Sequence, residues 1–293
     1  MKALVLEGKA ASEATYEELT ERLARLKLRG VTAGLAVAVL GSDPASLAYV
    51  RSKSKMCQRL GIHSVLKELP ENTTQQELLE LIHRWNVDPQ IHGILVQSPT
   101  PPHIHESEVV HAIDPDKDVD GFHPTNVARL ALGEEGFVPC TPLGCVKLLQ
   151  HYGISVSGRR VVILGRSLIV GKSLALLLMQ RGEGRDATVT VAHSATHDLP
   201  SVCHQAEILV AAIGRPHFVT KDHVPVGCVV VDVGINRVED PSSAKGYRLV
   251  GDVDFEAVAP FCRAITPVPG GVGPMTIAML MNNTVTSAER RLG

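Results

Sequence analysis

Aromatic residues are scarce: Phe, Trp and Tyr together make up 3% of the 293 residues. Any core must therefore be built from Leu, Val, Ile and Ala. No apolar run approaches the roughly 18 residues that a membrane-spanning helix requires, so no membrane partner is expected. The opening Met1-Lys-Ala-Leu-Val-Leu-Glu has neither a long apolar stretch nor a small-residue cleavage pattern. It predicts no signal peptide, and it is not Arg-rich like a mitochondrial leader. The net charge of -2 implies no broad basic surface, and nucleic acid is not an expected partner. The six cysteines, Cys57, Cys140, Cys145, Cys203, Cys228 and Cys262, form no Cys-x-x-Cys pair. They read as scattered reduced thiols of a cytoplasmic protein. Thirteen histidines include no His-Glu-x-x-His, and His103 and His105 read as part of a solvated Pro-rich loop. No metal site is expected.

What is present is an alternation of strand and helix patterns. The continuous apolar runs 34–40, 93–97, 160–164, 208–212 and 228–232 predict buried strands, and 63–69 and 187–192 two more. Between them, 11–28, 46–60, 74–85, 106–113, 142–151 and 171–180 read as helices. Gly61 is placed to end its helix, and Thr73 or Thr74 to cap the next one. The pattern breaks into charged and turn residues at 114–124 and then resumes. The fold class expected is therefore α/β: two α/β domains with a cleft between them, each built on a mostly parallel sheet. The division expected is residues 1–120 for the first domain and 141–273 for the second. The last helix, 274–290, is compatible with either.

In the second half, Val161-Val-Ile-Leu-Gly165-Arg-Ser-Leu-Ile-Val-Gly171 reads as strand, tight turn and helix start. A helix N-terminus there offers free N–H groups and a positive dipole end to a phosphate. The usual dinucleotide fingerprint has a glycine where Ser167 stands. The next strand ends in His193-Ser194-Ala195-Thr196 with no acid to hold ribose hydroxyls. Ser194 with Arg166 across the turn suits a 2′-phosphate, which favours NADP over NAD as the cofactor. Two more glycine turns follow strands, at Gly214 and at 232–236, and outline one edge of the same site.

In the first half, Tyr49 and Lys53 stand four residues apart on a predicted helix and share a face. A lysine so placed is usually a solvated charge. Facing a cleft, phenol and amine form an acid/base pair, because burial lowers a lysine pKa toward neutrality. Gln97 ends a strand within reach of such a cleft. Asp120 follows in Lys117-Asp-Val-Asp-Gly121, where turn chemistry alone also accounts for it.

The densest punctuation lies at 267–276, Pro-Val-Pro-Gly-Gly-Val-Gly-Pro-Met-Thr. Such a loop is stiff and leaves room beside it. It serves either as a connector or as the wall of a ligand site, with Pro269, Gly270 and Gly271 at its centre.

These segments occur together in one family. Tyr49-x-x-x-Lys53, Gly-Ile-Leu-Val-Gln at 93–97, Lys-Asp-Val-Asp-Gly-Phe at 117–122, Pro-Cys-Thr-Pro at 139–142, Gly-Arg-Ser-x-x-Val-Gly at 165–171 and the 267–276 loop carry the resemblance. The chain resembles the bifunctional methylenetetrahydrofolate dehydrogenase/methenyltetrahydrofolate cyclohydrolases over nearly its whole length. It looks like the compact form, without the formate-ligase domain of the long eukaryotic versions. The resemblance implies a Rossmann-type NADP-binding C-terminal domain and a last helix, 274–293, returned to the first domain. It implies tetrahydrofolate derivatives as substrates and a homodimer. It implies Lys53 as the central catalytic residue and Gln97 as the group tuning its position and charge. Tyr49 is implied against the aminobenzoate ring and Asp120 on the pterin. Gly165, Arg166, Ser167, Ser194 and Ile235 are implied at NADP, with Gly171 and Gly214 shaping the turns beside it. The 267–276 loop, through Pro269, Gly270 and Gly271, then reads as a wall shared by folate and nicotinamide. The chain departs from the family at Ser98 and Thr100, where Leu is common, at Ser173, where Pro is usual, and at Ala195, often Lys. Rival readings are a monofunctional dehydrogenase, a non-catalytic NADP- or folate-binding module, and another two-domain NADP dehydrogenase such as one acting on shikimate.

Overall fold

The structure, a computed structural model, describes residues 2–243 and 246–292. The chain runs β1 (Leu4–Val5), α1 (Gly8–Leu28), β2 (Gly34–Leu40), α2 (Pro44–Leu60), β3 (His63–Leu69), α3 (Gln75–Val87) and β4 (Gly93–Val96). The helices α4 (Glu106–Ala112), α5 (Pro124–Leu132) and α6 (Cys140–His151) follow. Then come β5 (Arg160–Leu164), α7 (Ser173–Leu178), β6 (Thr188–Ala192), α8 (Leu199–Cys203), β7 (Ile208–Ala211) and β8 (Val229–Asp232). The antiparallel pair β9 (Asn236–Glu239) and β10 (Tyr247–Val250), then α9 (Phe255–Val258), β11 (Ala264–Ile265) and α10 (Val272–Arg290) complete the chain. Residues 14–140 with 277–293 form one compact unit, and residues 1–13 with 141–276 form another.

The first unit holds a three-stranded parallel sheet in the order β3-β2-β4. β2 lies in the middle, and all seven of its residues are buried. A strand covered on both faces reads as a continuous apolar run, which is why Gly-Leu-Ala-Val-Ala-Val-Leu shows no alternation. Each helix has a local cause. Asp43 caps α2 by accepting from Ser46 N at 2.8 Å, Pro44 opens it, and Gly61 closes it in the left-handed region. Thr74 and Glu77 form a reciprocal capping box on α3, a device of about 1 kcal/mol. α5 is missing from the sequence reading; it starts on Pro124 behind the capping residue His123. Arg22 of α1 grips Glu289 of α10 through two nitrogens, at 3.1 and 2.6 Å, and also reaches Asn282 and Thr286.

The second unit holds a six-stranded parallel sheet in the order β1-β11-β8-β7-β5-β6. From β5 the chain goes outward to β6 on one side and returns to β7 on the other. The order therefore reverses between β5 and β7, the place where open α/β sheets bind ligands beyond their strand C-termini. The two-residue strands β1 and β11 are too short to show in the sequence; they pair across some 260 residues of chain, Leu4 with Ala264 and Val5 with Ile265. The helix expected over 171–180 begins earlier: a wider turn over Leu168–Lys172, in which Lys172 N reaches back to Ser167 O at 2.9 Å, leads into α7. α10 also begins earlier than Pro274, which falls within its first turn, where a missing N–H breaks no helical bond.

Candidate active site

On α2 the buried positions are Val50, Lys53 and Cys57, one stripe at helical spacing. Lys53 thus occupies a core position and is 5% exposed. Its Nζ donates to Gln97 Oε1 at 2.9 Å and stands 4.5 Å from the centre of the Tyr49 ring. Burial pushes the Lys53 pKa below the ordinary lysine value, and the nearby Asp120 and Cys140 push back. The same burial pushes the Tyr49 phenol well above its usual range. Burial thus favours the protonated phenol at Tyr49 and eases loss of the proton at Lys53.

Gln97 is aimed from both ends. Its backbone N donates to Ala38 O at 2.8 Å, extending the β2–β4 ladder past Val96. Its Nε2 donates to Ser98 O at 2.7 Å, which leaves Oε1 to face the lysine.

The 117–121 segment divides into structural and open positions. Lys117 is more deeply buried than Lys53, but its Nζ donates to Trp85 O and Asp88 O at 2.7 and 2.8 Å, and so it staples the end of α3. Asp118 accepts from Phe122 N, His123 N and Asn126 Nδ2. Val119 fills the core. Asp120 remains: half-buried, with its carboxyl pushed up by desolvation and pulled down by Lys53. The Cys140 side chain neighbours it. The carboxyl of Asp120 and the ammonium of Lys53 therefore act on each other, while the two most buried charges of the segment do not belong to the site.

In the second unit, Gly165 ends β5 at φ 122°. A Cβ there would overlap the Ala212 carbonyl, and a Cβ on Gly171 would overlap the Gly165 carbonyl. These two glycines let strand, turn and helix start pack on one another. Ser167 caps the helix start by accepting from Val170 N at 3.3 Å. Among the described residues the N–H groups of Leu168 and Ile169 find no acceptor. Arg166, Ser167 and Ser194 are exposed at the C-terminal ends of β5 and β6. Ile235, 61% exposed, and Ile169, 53% exposed, offer apolar surface. Free amides, a guanidinium, hydroxyls and apolar patches are the donor set a phosphorylated dinucleotide needs, so the residues fit the group.

The turn at Gly214, expected at one edge of the cofactor site, has its N–H groups engaged. The Gly214 N–H donates to Asp252 Oδ2 at 2.9 Å, as Ile213 N does at 2.6 Å, while Arg215 N and Asn236 Nδ2 bind Oδ1. A carboxylate of the chain already occupies this anion-binding turn. Asp232 does the same for Gly234 N, Asp252 N and Val253 N. Sequence reasoning missed Asp252, because its backbone partners lie 37 to 39 residues upstream and its own neighbourhood reads as an ordinary turn.

The closing loop splits as well. Pro269 and Gly270 are exposed, and nothing lies within 4 Å of a Cβ built on Gly270. Gly271 is buried; a Cβ there would meet Pro267 O at 2.5 Å and Thr266 Cβ at 2.8 Å. Packing therefore requires its lack of a side chain. Among the described residues no cluster of three His, Cys, Asp or Glu is arranged to hold a metal ion, and His103 Nε2 lies 2.9 Å from Thr73 O. No helix among them is long and apolar enough to cross a membrane.

A parallel sheet that reverses its order beside an open, glycine-tight turn defines a dinucleotide-binding α/β protein. The family model described as tetrahydrofolate dehydrogenase/cyclohydrolase, catalytic domain, matches residues 6–120, and that family's NAD(P)-binding domain matches residues 139–292. The bifunctional protein FolD of Prosthecochloris aestuarii is 52% identical over 98% of both chains. The crystal structure of the bifunctional enzyme FolD, methylenetetrahydrofolate dehydrogenase/cyclohydrolase, from Campylobacter jejuni has a TM-score of 0.92 at 49% identity, over 99% of each chain. The Trypanosoma brucei methylenetetrahydrofolate dehydrogenase-cyclohydrolase, complexed with NADP cofactor and inhibitor, has a TM-score of 0.94 at 41% identity, over 100% of this chain and 99% of its own. The chain belongs to the tetrahydrofolate dehydrogenase/cyclohydrolase family.

Proposed function

We propose that the protein oxidises 5,10-methylenetetrahydrofolate to 5,10-methenyltetrahydrofolate with NADP and hydrolyses the product to 10-formyltetrahydrofolate. The observation that carries the hydrolytic half is Lys53: buried, singly hydrogen-bonded to Gln97, and lowered in pKa. Burial makes such a lysine lose its proton more readily than a solvated one, and the neutral amine can take a proton. As the water oxygen bonds to the methenyl carbon, Lys53 receives the water proton. As the bond from that carbon to N5 breaks, Lys53 returns that proton to N5, the remaining hydroxyl proton of the adduct is released to solvent as the C=O forms, and the formyl group stays on N10. The Tyr49 ring beside the ammonium offers a flat face for the aminobenzoate. The half-buried Asp120, raised in pKa, suits a hydrogen bond to the pterin.

NADP, when bound, accepts the hydride that leaves the methylene carbon. Arg166, Ser167, Ser194, Gly165, Gly171 and Ile235 are the residues proposed to hold it, with Gly214 shaping its turn. The preference for NADP over NAD is supported by the absence of an acid at the end of β6 and by Arg166 and Ser194 standing exposed there. Pro269 and Gly270, the exposed pair of the closing loop, are proposed substrate contacts, and Gly271 is proposed to hold their turn in shape. A cytoplasmic homodimer is the proposed state, the compartment supported by six buried free thiols.

The test is a pair of rates. Methylenetetrahydrofolate oxidation is measured with NADP and with NAD, and decay of added methenyltetrahydrofolate is followed by absorbance. Oxidation without accelerated decay leaves only a monofunctional dehydrogenase.

A further inference from the structure

Asn283, in the middle of α10, is 4% exposed and touches none of the groups proposed to meet substrate. Its Nδ2 donates to Val119 O at 2.9 Å and to Val138 O at 3.1 Å, which commits both amide hydrogens. Flipping the amide would set its oxygen against two carbonyl oxygens, so the orientation is settled by its partners. Cys140 Sγ lies 3.8 Å from the same nitrogen and donates to Val119 O at 3.3 Å, and the Cys140 side chain neighbours the Asp120 carboxyl.

The Val119 carbonyl belongs to the same planar peptide as Asp120 N. No backbone N–H among the described residues donates to it; its donors are the two side chains Asn283 and Cys140. The flanking peptides are held by other means: Ile94 N binds Lys117 O and Gly121 N binds Asp118 O. Rotation of the Val119–Asp120 peptide, and with it the direction of the Asp120 Cα–Cβ bond, is thus restrained by side chains of α10 and α6.

We propose that Asn283 is a positioning residue that aims Asp120 at the folate substrate, by clamping the Val119–Asp120 peptide and seating Cys140 beside the carboxyl. This rests on the reading of Asp120 as a substrate contact.

The experiment is a double-mutant cycle on the intact enzyme, using Asp120→Asn and Asn283→Ala singly and combined. It reads kcat and KM for methylenetetrahydrofolate at saturating NADP, together with the NADP Kd. Each single variant is expected to lose about tenfold or more in kcat/KM. The double variant is expected to fall within about twofold of Asp120→Asn alone, since Asn283 has then nothing left to aim. The NADP Kd stays at the wild-type value. Losses that multiply in the double variant, or wild-type kcat/KM in Asn283→Ala, overturn the positioning role. Wild-type kcat/KM in Asp120→Asn overturns instead the substrate contact of Asp120, and the proposal falls with it. If the alanine variant does not fold, Asn283→Ser, which keeps one donor, takes its place in the cycle and is held to the same outcomes.

Discussion

Lys53 Nζ donates to Gln97 Oε1 at 2.9 Å, joining a core position of α2 to the end of β4. One neutral acceptor beside a buried amine keeps the lysine in place without anchoring its charge, as a carboxylate at the same distance would.

Replacing Lys53 by Met keeps the volume and removes the charge. Cyclohydrolase turnover is expected to fall about 10²- to 10⁴-fold, the usual worth of a positioned acid/base group. The variant is also expected to unfold at a higher temperature. A lysine whose folded pKa is lowered penalises folding while it is charged, and the penalty fades only as pH rises from the folded value toward 10.5. The gain in melting temperature should therefore be largest at low pH. Near-normal hydrolysis by Lys53→Met sinks the proposed role.

The pH profile tests the Gln97 contact. With neutral Lys53 as the active form, cyclohydrolase kcat/KM rises with pH and levels off above the lowered pKa. Gln97→Leu removes the oxygen that stabilises the ammonium. The rising limb is expected to move to lower pH, with a lower plateau as the amine loses its aim. An unmoved limb means that another group sets it.

At the nucleotide turn, Gly171→Ala forces the helix start away from the Gly165 carbonyl. The NADP Kd is expected to weaken about tenfold or more, read by fluorescence titration. Gly214→Ala meets open space and only the strain of φ 73°, about 1 kcal/mol. It is expected to bind NADP nearly as well as wild type. Equal effects would mean that the two turns play equivalent parts.

Asp252→Asn places an amide nitrogen where N–H groups already point in. Ile213 and Gly214 donate to one oxygen, Arg215 and Asn236 to the other, so neither orientation of Asn satisfies both sides. Each thwarted donor costs about 1–3 kcal/mol, and with two donors thwarted in either orientation urea unfolding should show a loss of about 2–6 kcal/mol.

Gly271→Val distinguishes packing from approach. The Cβ position is filled by Pro267 O and Thr266. Stability is expected to fall before KM for folate rises, whereas the exposed Gly270, altered to Ala, should act on KM first. Equilibrium unfolding beside steady-state kinetics checks the order.

Much of this was legible from spacing. The apolar run of β2, the Thr74 cap, the Tyr49/Lys53 spacing and the Gly165–Gly171 turn are local, and local patterns survive without knowledge of the fold. The family resemblance, the α/β class and the bifunctional function follow from those segments and are met by the family matches. Three things were not legible. Lys117 and Asp118 carry charges as conspicuous as Asp120, and only their partners, the end of α3 and the turn at 122–126, remove them from the site. Gly271 and Gly270 are adjacent and identical, and only their surroundings part them. Asn283 meets Val119 from 164 residues away.

The sequence by itself determined the longer strands and helices, the nucleotide turn and a set of candidate residues, because helix period, strand character, caps and turn residues act within a few positions. Tertiary structure decided which of those residues remain chemically available. It buried Lys53 beside Gln97, Tyr49 and Asp120, closed the Gly214 turn with Asp252, and joined Asn283 to the peptide of Asp120. Availability depends on which groups already have partners, and those partners are brought in by packing from distant parts of the chain.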